Sequence, residues 1–221
     1  MIKAVILDLD DTTFMTEAAC FDLENDVLTA MGRPAMSREV HLQTWGRPLF
    51  DAIRDRSPGI DVDEFRVAYD PLIKQYVANG MLDVVSPETL AAIDEIRTRL
   101  GKSVLALTSR EELEVEHLLV STHPLASRLE VVYHRDNMRY HKPDPRAFEH
   151  IEAEHGWTPD ECVYVGDSIG DAESAKSAGL RFVASLESGL RTRHDFAPYA
   201  VDAFIVDIPG LIPVLEAMDK N

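Results

Sequence analysis

Apolar residues are grouped along this chain in two distinct ways. From Ala4 to Leu7 they run without interruption, and two of the four are β-branched. That is the pattern of a short strand buried on both faces of a parallel sheet. Between residues 14 and 84 the spacing turns helical. Phe21, Leu23, Val27, Leu28 and Met31 share one face of a predicted helix that Gly32-Arg33-Pro34 ends. Further helices are expected from Ser37 to about Trp45, from Leu49 to Arg56, and from Asp63, as N-cap, to Asn79. Gly46, Pro48 and Ser57-Pro58-Gly59 separate them. No strand is predicted in this block.

From Ser86-Pro87 helices and strands alternate. Pro87 suits the first turn of a helix carrying Leu90, Ile93, Ile96 and Leu100, which Gly101 closes. Strands follow at Val104–Leu107, Leu129–Tyr133, Cys162–Val165, Arg181–Ala184 and Ala203–Val206. The helices between them run from Glu111 to Leu119, after Pro143 to His155, after Asp167 to Ala178, and near Leu211–Met218. Such alternation predicts an α/β fold, a Rossmann-like parallel sheet covered on both faces. Residues 1–13 and 87–221 then make the core, and residues 14–86 an inserted all-helical cap domain.

The net charge of −17 repels a phosphate backbone and an anionic bilayer, which argues against nucleic acid and membrane partners. A small anionic substrate stays possible, because a metal and one lysine reverse the field locally. No apolar run approaches the ~20 residues of a membrane helix. The run after Lys3 is too short for a signal peptide. Cys20 and Cys162 have no metal-ligand spacing and are expected to be reduced, in keeping with a cytoplasmic location.

The first predicted strand runs into Asp8, Asp10 and Asp11. In a parallel sheet reactive groups gather beyond the carboxyl ends of the strands. Clustered carboxylates there either hold a hard divalent cation such as Mg²⁺ or form an acidic turn, and the short pattern alone fits both. More chemistry lies downstream. Thr108-Ser109 ends one apolar strand, Lys142-Pro143 precedes a helix, and Gly166-Asp167-x-x-x-Asp171 ends another strand. Taken singly, Lys142 also reads as a surface lysine, and Asp171 as an exposed first-turn residue favoured by the helix dipole.

In this order, the four elements resemble the motifs of the haloacid dehalogenase-like hydrolase superfamily, and the helical insert matches the place of a type 1 cap. The resemblance spans nearly the whole chain. It implies that Asp8 is a nucleophile forming an aspartyl phosphate, with Lys142 and Mg²⁺ neutralising the approach of two anions. Asp8, the backbone carbonyl of Asp10, and Asp167 would hold the metal. Asp171 would bind it through water or orient its surroundings. Thr108 would offer its hydroxyl and backbone N–H to the phosphoryl group, with Ser109 beside it. Asp10 would be the acid–base group, and its presence points to phosphoryl transfer, since the similar dehalogenases lack it. Asp11 and Thr13 depart from the glycine and apolar residue common at their positions.

The cap would set substrate choice. There Arg47 either contacts a second anionic group of the substrate or is a solvated arginine at a helix start. Lys74 is the cap's only lysine, and nothing around it marks a Schiff-base residue. The implied activity is a Mg²⁺-dependent phosphatase for a small phosphorylated metabolite. A phosphomutase of the β-phosphoglucomutase type and a non-catalytic regulatory homologue are the alternatives.

Overall fold

The protein was analysed as a computed structural model, which describes residues 1–220. Strands β1 (Ala4–Leu7), β2 (Ser103–Leu107), β3 (Val132–Tyr133), β4 (Cys162–Gly166), β5 (Arg181–Ser185) and β6 (Ala203–Ile205) form one parallel sheet. Its order is β3-β2-β1-β4-β5-β6. The uninterrupted apolar run of β1 is what an interior strand needs, because both of its faces are covered. Val5 and Leu7 join Val104, Val163 and Val165 on one face, against helices α5 (Pro87–Thr98) and α9 (Leu211–Met218). Ala4 and Ile6 join Leu105, Tyr164 and Phe182 on the other, against α7 (Glu149–His155) and α8 (Ile169–Ala178). This is the expected α/β, Rossmann-like arrangement.

The chain divides into two compact units: residues 1–14 with those from 85 onward, and Met15–Val84. The second unit is helical, with α1 (Glu17–Ala30), α2 (Arg38–Gln43), α3 (Leu49–Arg56) and α4 (Val62–Ala78). Its apolar interior contains Leu23, Val27 and Leu28 of α1, Phe50 and Ile53 of α3, and Phe65, Tyr69 and Ile73 of α4. Arg56 is buried within it. Its Nη1 lies 2.6 Å from both carboxylate oxygens of Glu24, and its Nε donates to Thr44 Oγ1 at 2.8 Å.

Four local expectations are corrected. The N-cap of α4 is Asp61, not Asp63, because Asp61 Oδ1 accepts from the amides of Asp63 and Glu64. The helix expected from Glu111 to Leu119 is only α6 (Glu112–Val115) followed by a 3₁₀ turn, Glu116–Leu118. The strand expected from Leu129 is confined to Val132–Tyr133 at the sheet edge. Lys142-Pro143 opens a loop instead of a helix. A 3₁₀ turn, Pro145–Ala147, capped by the Asp144 side chain, precedes α7.

The buried pair generates a stability prediction. Glu24→Ala leaves the Arg56 guanidinium buried and unpaired, at a cost of ~3–5 kcal/mol. Urea unfolding followed by circular dichroism should show an earlier transition. The double replacement Glu24→Leu with Arg56→Met should recover most of the loss. An unshifted midpoint in Glu24→Ala would remove the pair from the stability of this unit.

Candidate functional site

Parallel pairing brings three strand ends together. Leu7 stands beside Ala106 of β2 and Val165 of β4, so the residues that follow each strand leave the sheet along one edge. Asp8 follows β1, Thr108 follows β2 and Asp167 follows β4. The Asp8 amide donates to the Val165 carbonyl at 2.8 Å, and Thr13 Oγ1 donates to the Asp8 carbonyl at 2.6 Å. Thr13, the polar departure noted above, therefore fastens the backbone of Asp8. The Thr12 hydroxyl is buried without a hydrogen-bond partner among the described residues. Asp11 adopts φ +52°, a left-handed conformation that suits glycine and that aspartate tolerates better than most residues. The other departure from the motif thus preserves the backbone while adding a carboxylate.

Lys142 reaches into this edge with its ammonium nearly enclosed. Its Nζ donates to Asp8 Oδ1 at 3.0 Å, Asp171 Oδ1 at 2.7 Å and the Tyr164 hydroxyl at 2.7 Å. All three protons of the ammonium thereby find acceptors. Burial works against the charge on Lys142, but Asp171 and Asp8 outweigh it and hold the group above its ordinary value. Asp171 also accepts from the amide and hydroxyl of Ser168 at 2.9 and 2.6 Å, and from Tyr164 at 2.9 Å. Burial alone would raise Asp171. The Lys142 charge and Ser168 hold it below the usual carboxylate range instead. It is a buried residue, not the exposed first-turn aspartate of the alternative reading. A Cβ on Gly166 would lie 2.6 Å from the Asp171 carboxyl, so β4 needs a residue without a side chain at that point.

The remaining carboxylates lack such compensation. Burial pushes Asp8 up to about 8; Lys142 pulls it back, while Asp171 and Asp10 add to the rise. Asp167 is driven well above its ordinary value by burial and by the charges of Asp171, Asp8 and Asp11. Ligand oxygens of Asp8, Asp167 and Asp171 all lie within 4.8 Å of one another. Hard oxygen donors packed this closely, short of positive charge, fit a cation of the Mg²⁺ type. Asp171 already accepts four hydrogen bonds, which leaves Asp8 and Asp167 as the donors better able to meet a metal.

Asp10 is paired with Arg110. Nη2 and Nε of the guanidinium donate to its two oxygens at 2.6 and 3.0 Å. The Thr108 hydroxyl accepts from the Arg110 amide at 3.2 Å. The expected offer of the Thr108 backbone N–H to a phosphoryl group is corrected, because that amide donates to the Tyr133 carbonyl at 2.9 Å as β2 pairs with β3. Only its hydroxyl proton remains available. Ser109 follows it directly. Arg47 lies in the helical unit, exposed and paired with Asp55 at 2.7 Å.

Asp8, Lys142, Asp167 and Asp171 are thus brought together, with Asp10 and Thr108 linked through Arg110. Sequence reasoning missed Arg110, Tyr164 and Ser168. Tyr164 carried a signal, since a phenol inside an otherwise apolar interior strand needs a polar partner. Ser168 carried one too: Ser168-x-x-Asp171 opening a helix is a capping-box spacing. Arg110 carried none.

A family model described as haloacid dehalogenase-like hydrolase matches residues 5–185. A phosphoglycolate phosphatase of Rhodobacter capsulatus is 26% identical, over 96% of this chain and 97% of its own. Phosphoglycolate phosphatase 1 of Pseudomonas aeruginosa is 25% identical, over 96% of this chain and 79% of its own. Among solved structures, CbbY from Rhodobacter sphaeroides, in complex with phosphate, superposes with a TM-score of 0.79 at 24% identity, covering 96% of each chain. A haloacid dehalogenase superfamily hydrolase, subfamily IA, variant 1, from Geobacter sulfurreducens gives 0.67 at 24%, covering 97% of this chain and 96% of that one.

The carboxylates predict an unusual dependence of stability on pH. Asp8, and likewise buried Glu114, rise from ordinary carboxylate values to about 8 on folding, Glu114 chiefly through burial. Between about pH 4 and 8 the folded chain therefore binds protons that the unfolded chain has released, so stability falls as pH rises. Thermal unfolding in EDTA should give a melting temperature that declines from pH 5 to pH 8. Added Mg²⁺ should restore it most at the alkaline end, where the cation meets ionised ligands. A flat profile in EDTA would contradict this account of the charges.

Proposed function

We propose that this chain, which belongs to the haloacid dehalogenase-like hydrolase family, is a phosphoric monoester hydrolase like the phosphatases it is similar to, cleaving a small phosphorylated metabolite through an aspartyl phosphate on Asp8. The observation that carries this reading is the buried Lys142 ammonium, bonded to Asp8 and Asp171 at once. A carboxylate attacking a phosphoryl group must bring one anion to another, and a fixed, enclosed cation is what lowers that barrier. Lys142 suits the role as a compact point charge with several directions of donation. Mg²⁺, held by Asp8, Asp167 and the Asp10 backbone carbonyl, would supply further neutralisation and polarise the phosphoryl oxygens. Asp171 serves to hold Lys142 in place and to order the turn that carries Asp167.

The Thr108 hydroxyl donates to a phosphoryl oxygen, with Ser109 beside it. Asp10 delivers a proton to the departing alkoxide and later takes one from the water that cleaves the phospho-enzyme. Phosphoglycolate is the first compound to assay, because the Rhodobacter and Pseudomonas relatives carry its name. The net charge of −17 argues against nucleic acid as substrate. Among the described residues no helix is long and apolar enough to cross a membrane, and a cytoplasmic location fits a metabolite substrate.

Two variants test this reading. Asp8→Asn should abolish Mg²⁺-dependent hydrolysis of p-nitrophenyl phosphate, since an amide is a poor nucleophile and a weaker metal ligand. Substantial turnover by verified Asp8→Asn protein would reject the assignment. Asp10→Asn should separate the half-reactions. p-Nitrophenolate leaves without a proton, so one equivalent should appear in a burst, followed by turnover slowed ~10²–10⁴-fold. Alkyl phosphates should give neither phase. Wild-type rates on both substrates would remove Asp10 from acid–base work. With a sugar phosphate, recovery of the phosphoryl group on a second hydroxyl would reassign the chain as a mutase.

A further inference from the structure

Arg110 falls in none of the motifs, yet it is tied to two separate parts of the site and to α6. Its side chain is nearly buried. Nη2 and Nε engage both oxygens of Asp10, in the turn after β1, at 2.6 and 3.0 Å. Its amide donates to the Thr108 hydroxyl, in the turn after β2, at 3.2 Å. Its Nη1 donates to the Glu114 carbonyl in α6 at 3.1 Å. The guanidinium carbon lies 5.6 Å from the centre of the Phe14 ring.

We infer that Arg110 is the positioning residue for the hydrolytic half of the reaction, holding Asp10 where it receives a proton from the attacking water. The inference rests on the phosphatase reading above. A two-pronged guanidinium–carboxylate pair fixes the rotation of the carboxylate plane, which a single contact leaves free. Each carboxylate oxygen has two lone pairs, and the fork takes one on each. In the step concerned, the water oxygen bonds to phosphorus and one of its protons passes to Asp10. The bond from phosphorus to Asp8 breaks, and its electron pair stays on Asp8. Orthophosphate and a restored Asp8 carboxylate result. A misplacement of about 1 Å in such a group costs on the order of 10²-fold in rate.

p-Nitrophenyl phosphate separates this step from the first, because its leaving group departs unprotonated. Rapid-quench release of p-nitrophenol should be measured on the full chain with Mg²⁺, for wild type, Arg110→Met and Arg110→Lys, with intact mass on the quenched protein. Arg110→Met should keep a burst of one equivalent and accumulate phospho-enzyme, while the later steady rate falls about 100-fold. Arg110→Lys should fall between, since one ammonium engages the two oxygens less rigidly, and in both variants KM should fall along with kcat, leaving kcat/KM nearly unchanged, because only the step after phosphoryl transfer is slowed. A merely structural arginine would lower burst amplitude and steady rate together. That result, or wild-type breakdown in Arg110→Met, would overturn the inference. If Arg110→Met fails to fold, Arg110→Lys, which keeps the buried charge, decides by the same ratio of burst to steady rate. Wild-type turnover with no phospho-enzyme on Asp8 in a single-turnover quench would instead overturn the phosphatase reading, and this inference with it.

Discussion

The buried ammonium of Lys142 sets the terms for the edge of the sheet where the site lies. Lys142 sits nearly enclosed among Asp8, Asp171 and Tyr164, and removing any one acceptor would leave one of its protons without that partner. Its charge holds Asp171 ionised, and Asp171 in turn anchors the Ser168 turn that carries Asp167. One cation against three close carboxylates is an imbalance that the protein side chains here do not correct. That imbalance makes the edge of the sheet chemically useful and also costs stability at alkaline pH.

The geometry around that charge comes from backbone features more than from polar side chains. β1 lies between β2 and β4 because its apolar run is covered on both faces, and parallel register then aligns the ends of all three strands. Gly166 leaves room for the Asp171 carboxyl, where any side chain would collide. Asp11 takes a left-handed turn that most residues avoid. Each is a steric condition, and each makes room for an electrostatic one.

Much of this was legible in the residues, and the reasons differ from one element to the next. β1, α3 and α9 announce themselves because burial imposes a period on apolar side chains that local pattern records. Asp8, Thr108, Lys142, Asp167 and Asp171 were found because the four motifs occur in order, three at strand ends and the Lys142 motif in a loop. β3 was overextended because a sheet edge needs little pairing, and apolar composition does not say where a ladder stops. α6 was drawn too long because its sequence is helix-favouring while the chain tightens into a 3₁₀ turn at Glu116. The Thr108 amide was misassigned because strand pairing with a distant carbonyl has no local mark. Arg110 was invisible for the same reason: its partner lies 100 positions away, and an arginine after a strand ordinarily reads as solvated.

The place of β1 in the sheet bears on how the site comes into being. Ala4 pairs with Ser103 on one side and Cys162 on the other, so neither neighbour of the nucleophile's strand is local in sequence. Contacts of that separation form late, after the loop entropy of everything between them has been surrendered. During synthesis, Asp8 emerges first and waits for Asp167, more than two-thirds of the chain behind it. The carboxylate cluster is therefore a property of the completed core: a nascent chain carries the attacking residue long before it carries a site.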